Sequence, residues 1–174
     1  MCIRDSTNVL FENNVIENET HTCIFQEIGG SAIIRNNTVR NCGTVGDPWL
    51  RRAGIRVNNS TDVLIEGNTV EDSFNGIAII YDSQRADRYN LDRITVTGNH
   101  VVRSGQTGLV TDVPGVDVTQ RSVSFSNNTY EHGLPPFESS IGIDQASRNS
   151  RDMWVFRWGD QQLDPAGWAA LGNS

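Results

Sequence analysis

Five side chains carry most of the chemistry this sequence offers: the acids Asp112 and Asp144, and the group Trp49, Arg52 and Arg56. Two carboxylates facing one sugar act as general acid and partner in glycoside hydrolysis, and Asp112 and Asp144 are the candidates for that pair. The competing reading makes both of them solvated turn residues. Trp49 lies in the run Asp47-Pro48-Trp49-Leu50-Arg51-Arg52, which leads straight into Arg56. An aromatic plane beside guanidinium groups suits a sugar ring carrying a carboxylate, through stacking and paired hydrogen bonds. The alternative folds Trp49 onto the wall beneath it and pairs the arginines with Asp62 and Glu66. Arg85, Asp87, Arg88 and Tyr89 form a similar mixed loop. His21, His100 and His132 share no metal-ligand spacing, so neither a metal nor another cofactor is expected.

The elements that must position these residues are copies of one pattern, best seen in Asp62-Val63-Leu64-Ile65-Glu66-Gly67-Asn68-Thr69-Val70. Asn14, Asn37, Asn68, Asn99 and Asn128 anchor five copies, spaced by 23, 31, 31 and 29 residues. Five residues before each anchor stand Val9, Ala32, Val63, Ile94 and Val123, three before it Phe11, Ile34, Ile65, Val96 and Phe125, and two after it Ile16, Val39, Val70, Val101 and Tyr130. Alternation of this kind is one face of a strand, and the Asn marks the corner where that strand bends. A second strand follows each Asn, marked by a small residue and then aliphatics, as in Gly54-Ile55-Arg56-Val57 and Gly76-Ile77-Ala78-Ile79. A bare coil takes about 23 residues, and longer spacings are insertions, which repeat folds place in loops that often line the binding face. They fall near 42–52, 81–90, 112–118 and 132–140, on both sides of the second strand. If Ile55, Ile77, Leu109 and Ile143 point inward, Arg56, Ala78, Val110 and Asp144 form the floor of a trough suited to a chain-like substrate.

Stacked coils of this length, with short β-branched strands and a corner Asn, predict an all-β chain. It would form a right-handed parallel β-helix of about five to six coils, closed by a short C-terminal helix with Asp164 as its N-cap. Stacked Asn side chains would bond to one another along the axis. Over residues 7–158 the chain resembles the pectate-lyase-like superfamily and its parallel β-helix repeat. The tail from Met153 resembles that of β-helix proteins described as glycoside-hydrolase-like. The resemblance implies a polysaccharide hydrolase or lyase working in the periplasm or after secretion. It transfers no catalytic residue, because the paired Asp and Gly-His-Gly of polygalacturonases are missing. A non-catalytic β-helix, such as an adhesin or a phage-tail module, is the alternative.

Residues 1–6 match no repeat position and resemble a translated sequencing adapter, so they are set outside the fold. Met153–Gly159 reads as a last strand and residues 159–174 as the start of a truncated strand–helix tail, and Trp154, Trp158 and Trp168 are expected to cover the end of the stack. The net charge of −7 argues against nucleic acid and anionic membranes as partners, and all 14 basic residues are arginine, which excludes lysine chemistry. No apolar run reaches membrane-spanning length. Cys23 and Cys42 occupy non-equivalent positions in the repeat and are expected to stay free thiols. Triplets such as Asn36-Asn37-Thr38 overlap the ladder corner and read as part of the repeat, not as glycosylation sites. With no coil beneath Val9, Phe11 and Ile16, backbone hydrogen exchange is expected to be fastest before about Ser31, since a solenoid edge without a cap is its weakest part. Uniform protection from Thr7 onward would refute this.

Overall fold

The computed structural model describes residues 2–45, 52–80, 91–104, 107–112, 123–131, 157–158 and 161–162. Three parallel five-stranded sheets wrap around one interior, and each coil gives one strand to each sheet. Sheet A holds β1 (Cys2–Arg4), β4 (Ile24–Glu27), β7 (Ala53–Asn58), β10 (Asn75–Ile80) and β13 (Thr107–Asp112). Sheet B holds β2 (Thr7–Glu12), β5 (Gly30–Arg35), β8 (Thr61–Glu66), β11 (Asp92–Thr97) and β14 (Val123–Ser126). Sheet C holds the short strands β3 (Val15–Glu17), β6 (Thr38–Arg40), β9 (Thr69–Glu71), β12 (His100–Val102) and β15 (Thr129–Glu131). A two-stranded antiparallel pair, β16 (Arg157–Trp158) with β17 (Gln161–Gln162), stands apart from the stack in the chain. This is the parallel β-helix that the repeat predicts. The expected C-terminal helix, Trp154, Trp168 and most of the insertions lie outside the described residues.

Register follows the apolar columns. Ile34, Ile65 and Val96 stack in sheet B, Val39, Val70 and Val101 in sheet C, and Ile24, Ile55 and Ile77 in sheet A, and all nine are buried. A one-residue slip would turn each such column outward, so the interior fixes the stacking.

The sequence pattern treats the segment around each Asn as one bent strand, whereas the structure has two. The residue before each anchor (Asn13, Asn36, Gly67, Gly98, Asn127) has φ between 53° and 63°. Asn and Gly enter this left-handed region at low cost, and one such residue ends a strand and turns the chain. Asn18, Asn41, Asp72 and Arg103 form a second left-handed column where the chain leaves sheet C.

The anchors form one continuous ladder. Each Asn donates Nδ2 to Oδ1 of the next, at 2.9 Å from Asn14 through Asn37, Asn68 and Asn99 to Asn128. Each Oδ1 also accepts the backbone N–H of the Asn one coil below, at 3.0–3.1 Å. Nδ2 of Asn37, Asn68 and Asn99 makes a further bond to a strand carbonyl, of Phe11, Ile34 and Ile65 in turn. The side chains of Asn37 to Asn128 are thus satisfied although buried.

Two expectations are corrected. Residues 2–6 do not lie outside the repeat, because β1 pairs with β4 in register, Cys2 with Phe25 and Ile3 with Gln26. Ile3 packs against the core, and Asp5 turns the chain in the left-handed region just as Ile28 and Asn59 do in later coils. Cys23 and Cys42 are not free thiols: they form a disulfide with Cα atoms 5.6 Å apart. Cys42 stands in a column continued by Ser73 and Ser104, and Cys23 in one continued by Gly54, Gly76 and Gly108. These are neighbouring columns offset by one coil, so the cysteines meet without being equivalent.

Replacing Asn68 by Leu strands donors and acceptors of Asn37, Ile34 and Asn99 in the interior, and is expected to cost about 3 kcal/mol, each buried unsatisfied group costing about 1–3 kcal/mol. Asn14→Ala, at the exposed end of the ladder, should cost clearly less in the same urea titration. Equal losses would mean that the ladder is not a buried network.

Candidate functional site

Charges on the outer surface are paired from coil to coil. Arg40 of β6 bridges Glu17 below at 2.8 Å and Glu71 above at 2.5 Å. Arg35 meets Glu12 at 2.5 Å, and Arg93 grips Asp62 through Nε at 2.6 Å and Nη2 at 2.8 Å. Asp62 thus pairs with Arg93, which also binds Asp92, so Arg93 and Arg40 are each shared by two carboxylates. These contacts are solvated, so they organise the surface more than they stabilise it.

Arg52 is different. It precedes β7 and, among the described residues, makes no bond to a carboxylate. Its Nε donates to the carbonyl of Gly43 and its Nη2 to that of Thr44, both at 2.6 Å. Its guanidinium carbon lies 3.6 Å from the centroid of the Phe74 ring. Nη1 makes no hydrogen bond among the described residues. Beside this stacked pair stands Arg103, in the left-handed column where the chain leaves β12. Its Nε and Nη2 bind the two oxygens of Asp72 at 2.6 and 2.7 Å. Thr44, Arg52, Asp72, Ser73, Phe74 and Arg103 line an open cleft of about 340 Å3 at the corner between sheets C and A. Two guanidinium groups against one carboxylate leave it positive in a chain of net charge −7.

The sequence-predicted residues are divided by the fold. Arg52 lines the cleft. Arg56 does not reach it: it is 5% exposed on the outer face of sheet A, over the Phe25 ring at 3.9 Å, with Nε donating to Asn58 Oδ1 at 3.1 Å. Its neighbours Asn58, Ala78 and Ile80 are equally covered, so the described stretch of that face is not an open trough. Asp112 ends β13, one coil above Ile80 as expected. Trp49 and Asp144 lie outside the described residues. His100 stacks in register between Thr69 and Thr129. Phe74, Arg103 and Thr44 went unnoticed in the sequence. Stacking Asn18, Asn41, Asp72 and Arg103 as one corner column would have pointed to the last carboxylate–arginine step. Among the described residues no His, Cys, Asp or Glu group has a metal-holding arrangement, and no helix is long and apolar enough to cross a membrane.

The hydrogen bonds from Arg103 hold the Asp72 carboxyl below the usual carboxylate range, and Arg93 does the same to Asp62. A depressed folded value contributes stability that is present above the unfolded value, about 3.9, and is lost as the pH falls through the folded one. Wild type should therefore lose more thermal stability than Asp72→Asn between about pH 5 and about pH 2. Parallel acid titrations of the two would show that the pair is not formed in solution.

Residues 1–150 match the family model described as right handed beta helix region. Comparison with curated proteins and with solved structures gives no match. The stacked parallel sheets, the Asn ladder and this match over most of the chain agree, and the protein belongs to the right-handed β-helix family.

Proposed function

We propose that this protein acts on polysaccharides outside the cytoplasm, as a hydrolase or lyase built on the β-helix, and that it holds an acidic saccharide in the cleft at the sheet C–sheet A corner. The observation that carries the reading is Arg52, a cation that among the described residues is bound only to carbonyls and an aromatic ring, in a cleft of positive charge. A uronic acid supplies a second carboxylate, for Nη1 of Arg52 beside the Arg103–Asp72 pair, and hydroxyls for Thr44. Guanidinium–carboxylate bonds are the stronger kind, and local positive charge offsets the repulsion of an acidic chain for such a ligand. The buried disulfide supports an oxidising compartment, where such bonds persist. In this reading Trp49 adds a stacking surface, Arg56 supports the wall beside the site, and Asp112 and Asp144 supply the acid and its partner.

A non-catalytic binding module is the second reading, and one observation favours it. Asp72, the carboxylate of the cleft, is bound to Arg103 with its proton affinity lowered, the wrong direction for a general acid.

Titration calorimetry with a uronic-acid trisaccharide and a neutral one tests the site. The uronate should bind, more weakly at high salt, and Arg52→Ala should cost about tenfold in affinity. Asp72→Asn should strengthen binding by removing the competing carboxylate. Binding of the neutral sugar alone would overturn the anionic ligand. Product release from polyuronate would favour the enzyme, and binding without turnover the module.

A further inference from the structure

Cys42, Gly43 and Thr44 present three successive backbone carbonyls to the stacked pair of the cleft. The Cys42 carbonyl accepts from the Phe74 N–H at 2.9 Å. The next two accept from Arg52 Nε and Nη2, at 2.6 Å each. Among the described residues only these carbonyls and the Phe74 ring hold the Arg52 side chain, so its position follows theirs. The tripeptide is itself anchored from the opposite side. Gly43 N–H donates to the Glu19 carbonyl at 3.1 Å, Val45 N–H to that of Thr20 at 2.9 Å, and Cys42 is joined to Cys23. All three anchors lie in the connection between β3 and β4. The turn also rests on the start of β7: Gly43 has φ +74°, and a Cβ there would stand 2.9 Å from the Ala53 nitrogen.

We infer that the Cys23–Cys42 disulfide is a positioning element of the cleft, fixing the carbonyls that hold Arg52 over Phe74. The inference rests on reading that cleft as the saccharide site. Axial stapling alone explains the bond less well, because the coil above does without it. There Ser73 and Gly54 occupy the corresponding places, with Ser73 Oγ 3.1 Å from where a Cβ on Gly54 would stand, and the sheets stack in the same register. The covalent link stands where the turn after it carries the cleft.

The double variant Cys23→Gly with Cys42→Ser copies the pair used one coil higher, and Cys23→Ala with Cys42→Ala serves if the first does not fold. Two readouts are needed, both below the melting temperature of the variant. Exchange of the Arg52 Nε–H and the Phe74 amide, followed by NMR, should quicken at least tenfold in the variant. Affinity for the uronic-acid trisaccharide should fall about as far as in Arg52→Ala, and combining the changes should cause no further loss, since both act through one guanidinium. Unchanged exchange would overturn the inference and leave the disulfide a staple. Quickened exchange in a protein that binds no uronate at all would uphold the positioning role and overturn the saccharide reading instead.

Discussion

An amide side chain in an apolar interior must find partners for two donors and an acceptor, or it destabilises the fold that buries it. Here the same side chain recurs in every coil, and the partners are its own copies. That solution works only if successive coils align along the axis to within hydrogen-bonding distance, as the 2.9 Å steps from Asn14 to Asn128 require. The ladder therefore sets the axial spacing at the same place where the β-branched columns set the register. Ile34, Ile65 and Val96 exclude a slip by one residue, and the Asn column excludes a coil that is tilted or displaced.

The corner beside the ladder shows how the chain meets that demand. A left-handed residue directly before each Asn ends sheet B and starts sheet C, so the amide points inward at the bend. The corner on the far side of sheet C also uses left-handed residues, but its side chains face solvent and are free to vary. Asn18 and Asn41 bond to each other there, whereas Asp72 and Arg103 form an ion pair. The same backbone column thus passes from a polar contact to a charged one, and the charged end lines the cleft.

What the sequence reveals follows this division between interior and surface. The five anchors, their inward columns and the place of His100 between Thr69 and Thr129 are legible because every coil repeats the same demand. The third sheet is less plain: its inward column follows that of sheet B by five residues, as from Ile34 to Val39, so the alternation changes phase at a left-handed residue such as Asn36 or Gly67, and a pattern read as one bent strand passes over that break. The disulfide is missed because a search for equivalent positions compares residues within a column, and Cys23 and Cys42 lie in adjacent ones. Arg52 is recognisable as a cation near an insertion. Its partners Phe74 and Arg103 come from later coils, and nothing local in the chain announces that a side chain will bend toward Gly43 and Thr44. Arg56 shows the converse: alternation correctly sets it outward on sheet A, yet alternation does not say whether an outward face is covered.

The two columns that hold Cys42 and Cys23 have a consequence for how such a chain changes over generations. Above the cysteines those columns hold serine and glycine, and each of these has codons that lie one nucleotide from a cysteine codon. With such codons, a covalent cross-link between coils is two point mutations away at each level where the pair recurs. The obstacle is local: a Cβ on Gly54 would stand 2.4 Å from a methyl of Val70, so that valine must move first. Repetition of the backbone lets a bond tried at one height be copied, shifted or lost at another, while the ladder behind it stays the same.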